Sequence, residues 1–247
     1  MEDYTELLLP ANILVENGFI DLLNHTEFIT DEEFRSPELI GWLYQFYISE
    51  RKDEVFAKKG KFEADEIPAA TQIFTPNWIV KYMVQNTVGR IYLDNNPYTT
   101  LAYKEKWQYL VEPAEPTPAK AILHYNELTD LKVADLACGS GHILNECFDL
   151  LYDLYITEGY TRVEAITHIF QDNLTGIDLD PRAQQLSLFA LTLKACQREH
   201  SFADAHCLPR VLTMPKVPLP LPTDTRLAVE IDAANILLKD ADSLGSI

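Results

Sequence analysis

The spacing of apolar residues changes abruptly in the middle of the chain. A short apolar run from Val133 to Ala137 carries one carboxylate, Asp135, and is typical of a buried strand. A turn with two glycines, Gly139 and Gly141, follows it, and apolar residues then recur at helical spacing to about residue 158. The pattern predicts a strand, a tight turn and a helix, which together begin a nucleotide-binding α/β unit. The helical positions are Ile143, Leu144, Cys147, Phe148, Leu151 and Leu154.

The chain after this unit continues the α/β alternation. We expect a second helix after Thr161, a strand that begins at Leu174 and ends near Asp178, and a helix from Arg182 to about residue 198 that Asp180 caps. An acidic residue at the end of such a strand is placed to accept hydrogen bonds from ribose hydroxyls. Asp178 is therefore the predicted ribose ligand.

The N-terminal part of the chain is predicted to be mainly α-helical. The aromatic residues Trp42, Tyr44, Phe46 and Tyr47 could form a stacking surface for bases, but their helical spacing favours core packing. The proline-rich stretch 112–118 is interpreted as a connector. We place a helical region at 1–115 and an α/β domain at 119–247.

A helix is also predicted just before that connector. Thr75 is the expected N-cap and Pro76 the expected first residue, followed by an apolar stripe between residues 79 and 88. Further along, residues 234–238 form either a third strand or a short helix.

The glycine turn distinguishes between classes of nucleotide ligand. A dinucleotide site has a third glycine, which gives the pyrophosphate room and allows close helix packing. Leu144 stands at that position here. The turn therefore favours a nucleoside ligand without phosphates and disfavours a nucleotide-dependent oxidoreductase.

Composition limits the possible partners and the location of the protein. The 247 residues carry a net charge of −18, which argues against a DNA-binding surface spread over the chain. Four cysteines lack paired spacing, and the histidines near Cys196 and Cys207 are irregularly placed, so we predict free thiols and no metal site. With no leader and no apolar run long enough to cross a membrane, we expect a cytoplasmic protein.

Two segments resemble a known enzyme family. The sequence D-L-A-C-G-S-G-H-I-L at 135–144 resembles the first motif of S-adenosylmethionine-dependent adenine-N6 DNA methyltransferases. The segment A-T-Q-I-F-T-P-N-W-I-V-K-Y-M-V-Q-N at 70–86 is most similar to the adenine methyltransferase of BREX phage-exclusion systems. The resemblance implies a Rossmann-like class I methyltransferase domain with an incomplete sheet, preceded by the helical region.

The same resemblance implies that S-adenosyl-L-methionine is the cofactor. Phe74, Thr75 and Pro76 correspond to the segment that lies against its methionine end, and Asp242 to the residue that accepts a hydrogen bond from its adenine amino group. His142 could touch the cofactor or a substrate. The implied cofactor-binding residues are Phe74, Thr75, Pro76, Asp135, Ala137, Cys138, Gly139, Gly141, Asp178 and Asp242.

The family's catalytic motif, Asn-Pro-Pro-aromatic, is absent from the chain. Asn96-Pro97-Tyr98 has one proline and precedes the glycine turn, so it is interpreted as an ordinary turn and no catalytic residue is assigned. The chain ends at Ile247, shortly after the family motif that contains Asp242. We therefore expect an N-terminal fragment that binds the cofactor but does not methylate DNA alone.

The resemblance also implies the partners. Double-stranded DNA is the expected substrate of the intact enzyme, in a restriction-modification or phage-defence system, and other proteins of a defence complex are possible partners. The open edge of an incomplete sheet favours self-association. The alternative is a non-catalytic scaffold with a methyltransferase fold in such a complex.

Overall fold

The protein is represented by a computed structural model that describes residues 15–25, 30, 38–58, 60–63, 66–71, 75–204, 207–214, 220–222 and 225–238. Internal contacts divide the chain into two units, Met1–Leu39 and Ile40–Ile247. The described part of the first unit contains the short helix α1 (Phe19–Asn24). The N–H of Asn17 donates to Oδ2 of Asp21 at 2.7 Å, which satisfies one donor at the start of this helix.

The segment before the sheet is helical. Helix α2 (Glu38–Ala57) lies almost entirely in the second unit, and α3 (Ile67–Thr71) follows it. Helix α4 (Asn77–Val84) continues through a π-helical turn, Gln85–Gly89, into α5 (Arg90–Asn95). Helix α6 (Leu101–Lys104) comes next, and two short 3-10 turns, Ala119–Ala121 and Leu128–Asp130, lead to the sheet.

Within the described residues, three parallel strands form a sheet in the order β1-β2-β3. They are β1 (Val133–Asp135), β2 (Leu174–Asp178) and β3 (Arg210–Thr213). Between β1 and β2 lie α7 (His142–Thr157), α8 (Arg162–His168) and a π-helical turn, Ile169–Asn173. Between β2 and β3 lie α9 (Pro181–Arg198) and a 3-10 turn, His200–Asp204, and α10 (Thr225–Leu238) follows β3. The result is a mixed α/β arrangement compatible with a Rossmann-like fold.

Helix α7 forms the centre of the core. Leu144, Phe148 and Leu151 on this helix are fully buried, and α4 packs against it through its own buried stripe, which includes Val80 and Val84. Residues from both sides of the proline-rich connector therefore share one hydrophobic core, and the predicted division near residue 115 stays a prediction.

A buried asparagine joins the core to the segment before β1. Tyr155 of α7 donates a 2.8 Å hydrogen bond to Oδ1 of Asn173. Nδ2 of Asn173 donates to the carbonyl oxygens of Leu128 and Leu131 at 2.7 and 2.9 Å. Every buried polar group in this link has a partner, so the residues that lead into β1 are held in place at low energetic cost.

The elements predicted around the glycine turn are confirmed. β1 begins at Val133, α7 ends one residue before Glu158, and β2 spans Leu174–Asp178. Thr161 caps α8 by accepting a hydrogen bond from the N–H of Glu164. Asp180 caps α9 by accepting one from the N–H of Arg182 at 2.9 Å.

Four sequence-based expectations were wrong or incomplete. Pro76, with ψ at 140°, is itself the N-cap of α4, so Thr75 does not cap this helix. Of the two alternatives for residues 234–238, the helix is confirmed and the strand is not, but this helix is α10, which is 14 residues long and not short. Strand β3 at Arg210–Thr213 was missed, because only Val211 in it is buried and no alternation precedes it. Phe46 is 74% exposed and Trp42 40%, so the expected core packing fails for these two residues.

No helix in the described ranges is both long and apolar enough to cross a bilayer.

Candidate functional site

The turn between β1 and α7 has the geometry that glycine makes possible. Gly139 has φ at 52° and Gly141, the N-cap of α7, has φ at 88°, both in the left-handed region. The N–H of Gly141 donates to the carbonyl of Cys138 at 2.8 Å and closes the turn.

The two glycines face different surroundings. A Cβ on Gly139 would meet nothing within 4 Å, whereas one on Gly141 would lie 2.3 Å from Oγ of Ser187 on α9. Gly139 therefore leaves open space for a ligand, and Gly141 allows close packing against α9.

The end of β2 holds this turn in position. The N–H of Gly139 donates to Oδ2 of Asp178 at 2.7 Å, and Oδ1 of the same carboxylate accepts from the N–H of Asp180 at 2.8 Å. Beside it, the N–H of Cys138 donates to the carbonyl of Ile177 at 3.0 Å. Asp178 thus links the exit of β2 to the exit of β1, where ligands bind in open α/β sheets.

Leu144, which replaces the third glycine of a dinucleotide site, packs against the sheet. Its side chain is fully buried, and a Cβ on Gly176 of β2 would lie 2.6 Å from its Cδ1. The large residue on α7 is therefore matched by a glycine on the neighbouring strand.

A cavity of about 230 Å³ opens beside the glycine turn. One wall is a face of α2, another is the segment from Asp135 to Ile143, and Thr75 contributes from the start of α4. The lining residues are Gly41, Tyr44, Gln45, Ile48, Ser49, Lys52, Thr75, Asp135, Ala137, Cys138, Gly139, Ser140, His142 and Ile143.

The cavity brings together half of the predicted cofactor residues. Five of the ten line it, namely Thr75, Asp135, Ala137, Cys138 and Gly139. Three are described but lie outside the lining: Pro76, Gly141 and Asp178, of which Asp178 reaches the site through its bond to the Gly139 N–H. Phe74 and Asp242 lie outside the described residues.

Burial shifts the pKa of the carboxylate at the end of β1. Desolvation raises the pKa of Asp135; the 3.2 Å hydrogen bond that its Oδ1 accepts from the N–H of Ala137 opposes the rise, and the charge of Asp178 adds to it. An ammonium group placed beside Asp135 would offset this desolvation. The site is therefore better suited to a cationic group than to an anion at this point.

The two other titratable groups on the glycine side of the cavity are electrically neutral at pH 7. Burial, and then the charges of Asp178 and Asp135, raise the pKa of the Cys138 thiol to about 12. Burial lowers the pKa of His142 to about 4. Because a protonated thiol is a poor nucleophile, Cys138 is not suited to covalent catalysis. The arrangement can bind and orient a ligand. His142, which the sequence analysis named as a possible ligand contact, lines the cavity.

Sequence reasoning missed the contribution of α2. Its cavity-facing residues recur at helical spacing, from Gly41 through Tyr44 and Ile48 to Lys52, but the stripe mixes polar and apolar residues and gives no amphipathic signal. The contacts that place it span about 100 residues of sequence, such as the approach of Gly41 to His142.

The chain is similar in sequence to adenine-specific methyltransferases. No protein-family model matches the chain. It is 46% identical over 203 residues to the adenine-specific methyltransferase BrxX of Escherichia coli O9:H4 (strain HS), covering 80% of this chain and 16% of that protein. It is 37% identical over 231 residues to the adenine-specific methyltransferase PglX of Lacticaseibacillus casei (strain Zhang), covering 89% and 19%.

A more distant relative combines two activities in its name. The type II restriction enzyme and methyltransferase RM.Eco57I of Escherichia coli is 26% identical over 217 residues, with 81% of this chain and 19% of that protein covered. The chain thus spans less than a fifth of the length of each of these three relatives. Over most of its length, the chain is a homologue of part of the adenine-specific methyltransferases BrxX and PglX.

Proposed function

We propose that this chain forms the S-adenosylmethionine-binding portion of an adenine-N6 DNA methyltransferase of a phage-defence or restriction-modification system. The fold in this proposal is a Rossmann-like class I methyltransferase domain. The observation that carries it is the open space at Gly139, which is held at positive φ by Asp178 and faces the cavity that Asp135 and Thr75 also line. Homology to BrxX and PglX supports the same reading.

The residues of the cavity fit the methionine end of this cofactor. Asp135 would accept hydrogen bonds from the ammonium group, whose charge offsets the desolvation of the carboxylate. Thr75 supplies a hydroxyl beside the first turn of α4, where the helix dipole favours a carboxylate. Gly139 lets the ligand approach the main chain closely because it has no Cβ.

Asp178 would have two tasks in this site. It already accepts N–H groups from Gly139 and Asp180, one on each oxygen. Since an ionised carboxylate offers about four acceptor sites, two remain for ribose hydroxyls. The residue would therefore position the turn and hold the sugar at the same time.

The chemistry of the complete enzyme follows from this placement. When bound, the cofactor supplies a methyl group for transfer to the exocyclic amine of adenine. The residues described here hold and orient it, and alignment of the reacting groups provides most of the rate. With a net charge of −18, this chain offers little attraction for phosphates, so the contacts to double-stranded DNA are assigned to other parts of the enzyme or to partner proteins.

Calorimetric titration of the chain tests the proposal. We expect saturable binding of S-adenosylmethionine and S-adenosylhomocysteine and none of NAD or ATP. Asp135→Asn should weaken binding by about tenfold or more, because a charge-assisted hydrogen bond is lost. Asp232→Asn, at an exposed position of α10, is the matched control and should bind normally. Absence of binding to the wild-type chain would contradict the proposal and favour the scaffold alternative.

A further inference from the structure

One face of helix α2 covers the glycine turn. Its cavity-lining residues recur every three or four positions along the helix and so form a single stripe. They are Gly41, Tyr44, Gln45, Ile48, Ser49 and Lys52. The stripe begins at Gly41 and ends at Lys52, and its central residue Ile48 is buried. The helix therefore contributes a continuous wall to the candidate site.

Two contacts hold this wall against the site. A Cβ on Gly41 would lie 2.5 Å from Nε2 of His142 and 3.2 Å from Oγ of Ser140, so α2 approaches the start of α7 as closely as a glycine allows. One turn further on, the hydroxyl of Tyr44 donates a 2.6 Å hydrogen bond to Oδ2 of Asp180, the N-cap of α9. Both contacts join α2 to the exits of β1 and β2.

Asp180 is a strong acceptor for this contact. Its side chain is buried, and Nε of Arg182 lies 3.1 Å from its Oδ1. Desolvation alone would raise the pKa of Asp180, but hydrogen bonds from Arg182 and Tyr44 and the guanidinium charge hold it below the usual value. The carboxylate is therefore ionised, and the hydrogen bond from Tyr44 is charge-assisted.

Helix α2 brings the cation of Lys52 into a cavity that also contains the carboxylate of Asp135. Lys52 lines the α2 side and Asp135 the side of β1, while burial keeps His142 neutral. A ligand that carries both a carboxylate and an ammonium group matches this pair of charges. An α-amino acid end carries both groups, so it can contact Lys52 through its carboxylate and Asp135 through its ammonium group.

We propose that Lys52 binds the carboxylate of the amino-acid end of the ligand, so that α2 is part of the cofactor site. This inference rests on the function proposed above and deepens it. Lys52 acts together with Thr75 of the same cavity, and Asp135 takes the ammonium group. The segment before α4 is thus more than a packing element, because it recognises the charged half of the cofactor.

The test compares two ligands that differ only in the carboxylate. S-adenosylhomocysteine has it, and 5′-deoxy-5′-(3-aminopropylthio)adenosine lacks it but keeps the amine. We expect the wild-type chain to prefer the first by about tenfold or more, because only the first makes a charge-assisted hydrogen bond to Lys52. Lys52→Met should lose most of this preference through weaker binding of S-adenosylhomocysteine, because only the contribution of Thr75 and the start of α4 remains. Lys52→Arg should keep most of the preference.

The controls separate the possible failures. Lys120→Met changes an exposed lysine of a 3-10 turn and should retain the wild-type preference. A Lys52→Met variant that unfolds at the wild-type temperature and keeps the full wild-type preference for S-adenosylhomocysteine overturns the role of Lys52. Equal binding of both ligands by the wild-type chain also overturns the role of Lys52, but it leaves cofactor binding by the chain intact. Binding of neither ligand by the wild-type chain overturns the proposed function and this inference together.

Discussion

The main-chain N–H of Gly139 donates a 2.7 Å hydrogen bond to Oδ2 of Asp178. The donor belongs to the turn after β1 and the acceptor to the last residue of β2, so the bond joins the exits of neighbouring strands. A carboxylate that would hold the ribose therefore already shapes the turn that would hold the rest of the cofactor.

Removing this carboxylate should destabilise the fold itself. Asp178→Ala loses two hydrogen bonds to a charged acceptor, and we expect the free energy of unfolding to fall by about 2–4 kcal/mol. Asp178→Asn keeps one acceptor oxygen and should lose less. Urea denaturation measures both, with Asp232→Ala on α10 as the control. A stability loss no larger than that of the control would contradict the role of Asp178 in the turn.

The two glycines of the turn should respond differently to alanine. Both substitutions place a Cβ at positive φ, which costs roughly 1–2 kcal/mol. Gly141→Ala also drives the Cβ to 2.3 Å from Ser187 Oγ, so it should lower the unfolding temperature more than Gly139→Ala does. Gly139→Ala instead places a methyl group in open space beside the cavity and should abolish binding of S-adenosylmethionine. Thermal unfolding and calorimetry together decide this, and the reverse order of stabilities would refute the packing argument.

Binding should depend on pH through Asp135. Its pKa is raised in the free protein, mainly by burial, and an ammonium group beside it favours the ionised form. Binding should therefore release a proton from Asp135 and weaken as the pH falls through that raised pKa. Titrations between about pH 4 and pH 7, in buffers of different ionisation enthalpy, measure the effect. Asp135→Asn should bind more weakly at pH 7 and show no proton release over this range; an unchanged pH profile in the variant would assign the effect elsewhere.

A carboxylate away from the cavity provides a test of stability against pH. Burial, and then the charge of Glu105, raise the pKa of Asp153 to about 6. Because the unfolded chain has the ordinary value of about 4, the folded state binds the extra proton between pH 4 and 6. The ionised form therefore costs stability above pH 6, and the cost disappears as the pH falls through this window.

Asp153→Asn should remove that cost. We expect the unfolding temperature to rise by about 2 °C or more at pH 8, and to be unchanged below about pH 4, where the wild-type carboxyl is protonated in both states. Asp232→Asn, on exposed helix surface, should change neither value. A destabilised Asp153→Asn at pH 8 would mean that attraction to Arg198 outweighs the desolvation of the carboxylate.

Local signals made β1, β2 and the helices from α7 to α9 predictable. The strand and helix on either side of Gly139 have distinct apolar spacing, and Thr161 and Asp180 are capping residues whose roles depend only on their near neighbours. The candidate site residues from Asp135 to Gly139 came from the family resemblance of the same segment, and they lie where ligands bind in parallel sheets, at the strand ends.

The remaining features depend on contacts between distant parts of the chain. Strand β3 has four residues and is defined by pairing with β2, which no local pattern reports. The wall formed by α2 depends on the fit of Gly41 against His142 and of Tyr44 against Asp180. Such contacts are products of tertiary packing, and the α2 sequence alone does not distinguish them from ordinary surface positions.

The most direct test of the central claim is a backbone amide NMR titration of the chain with S-adenosylhomocysteine. The account predicts saturable shifts of the Gly139 and Gly141 amide signals, together with those of Lys52 and Thr75, and little change along exposed helix α10. Shifts confined to other regions would place the ligand elsewhere, and a complete absence of shifts at saturating ligand would contradict a cofactor site at the glycine turn.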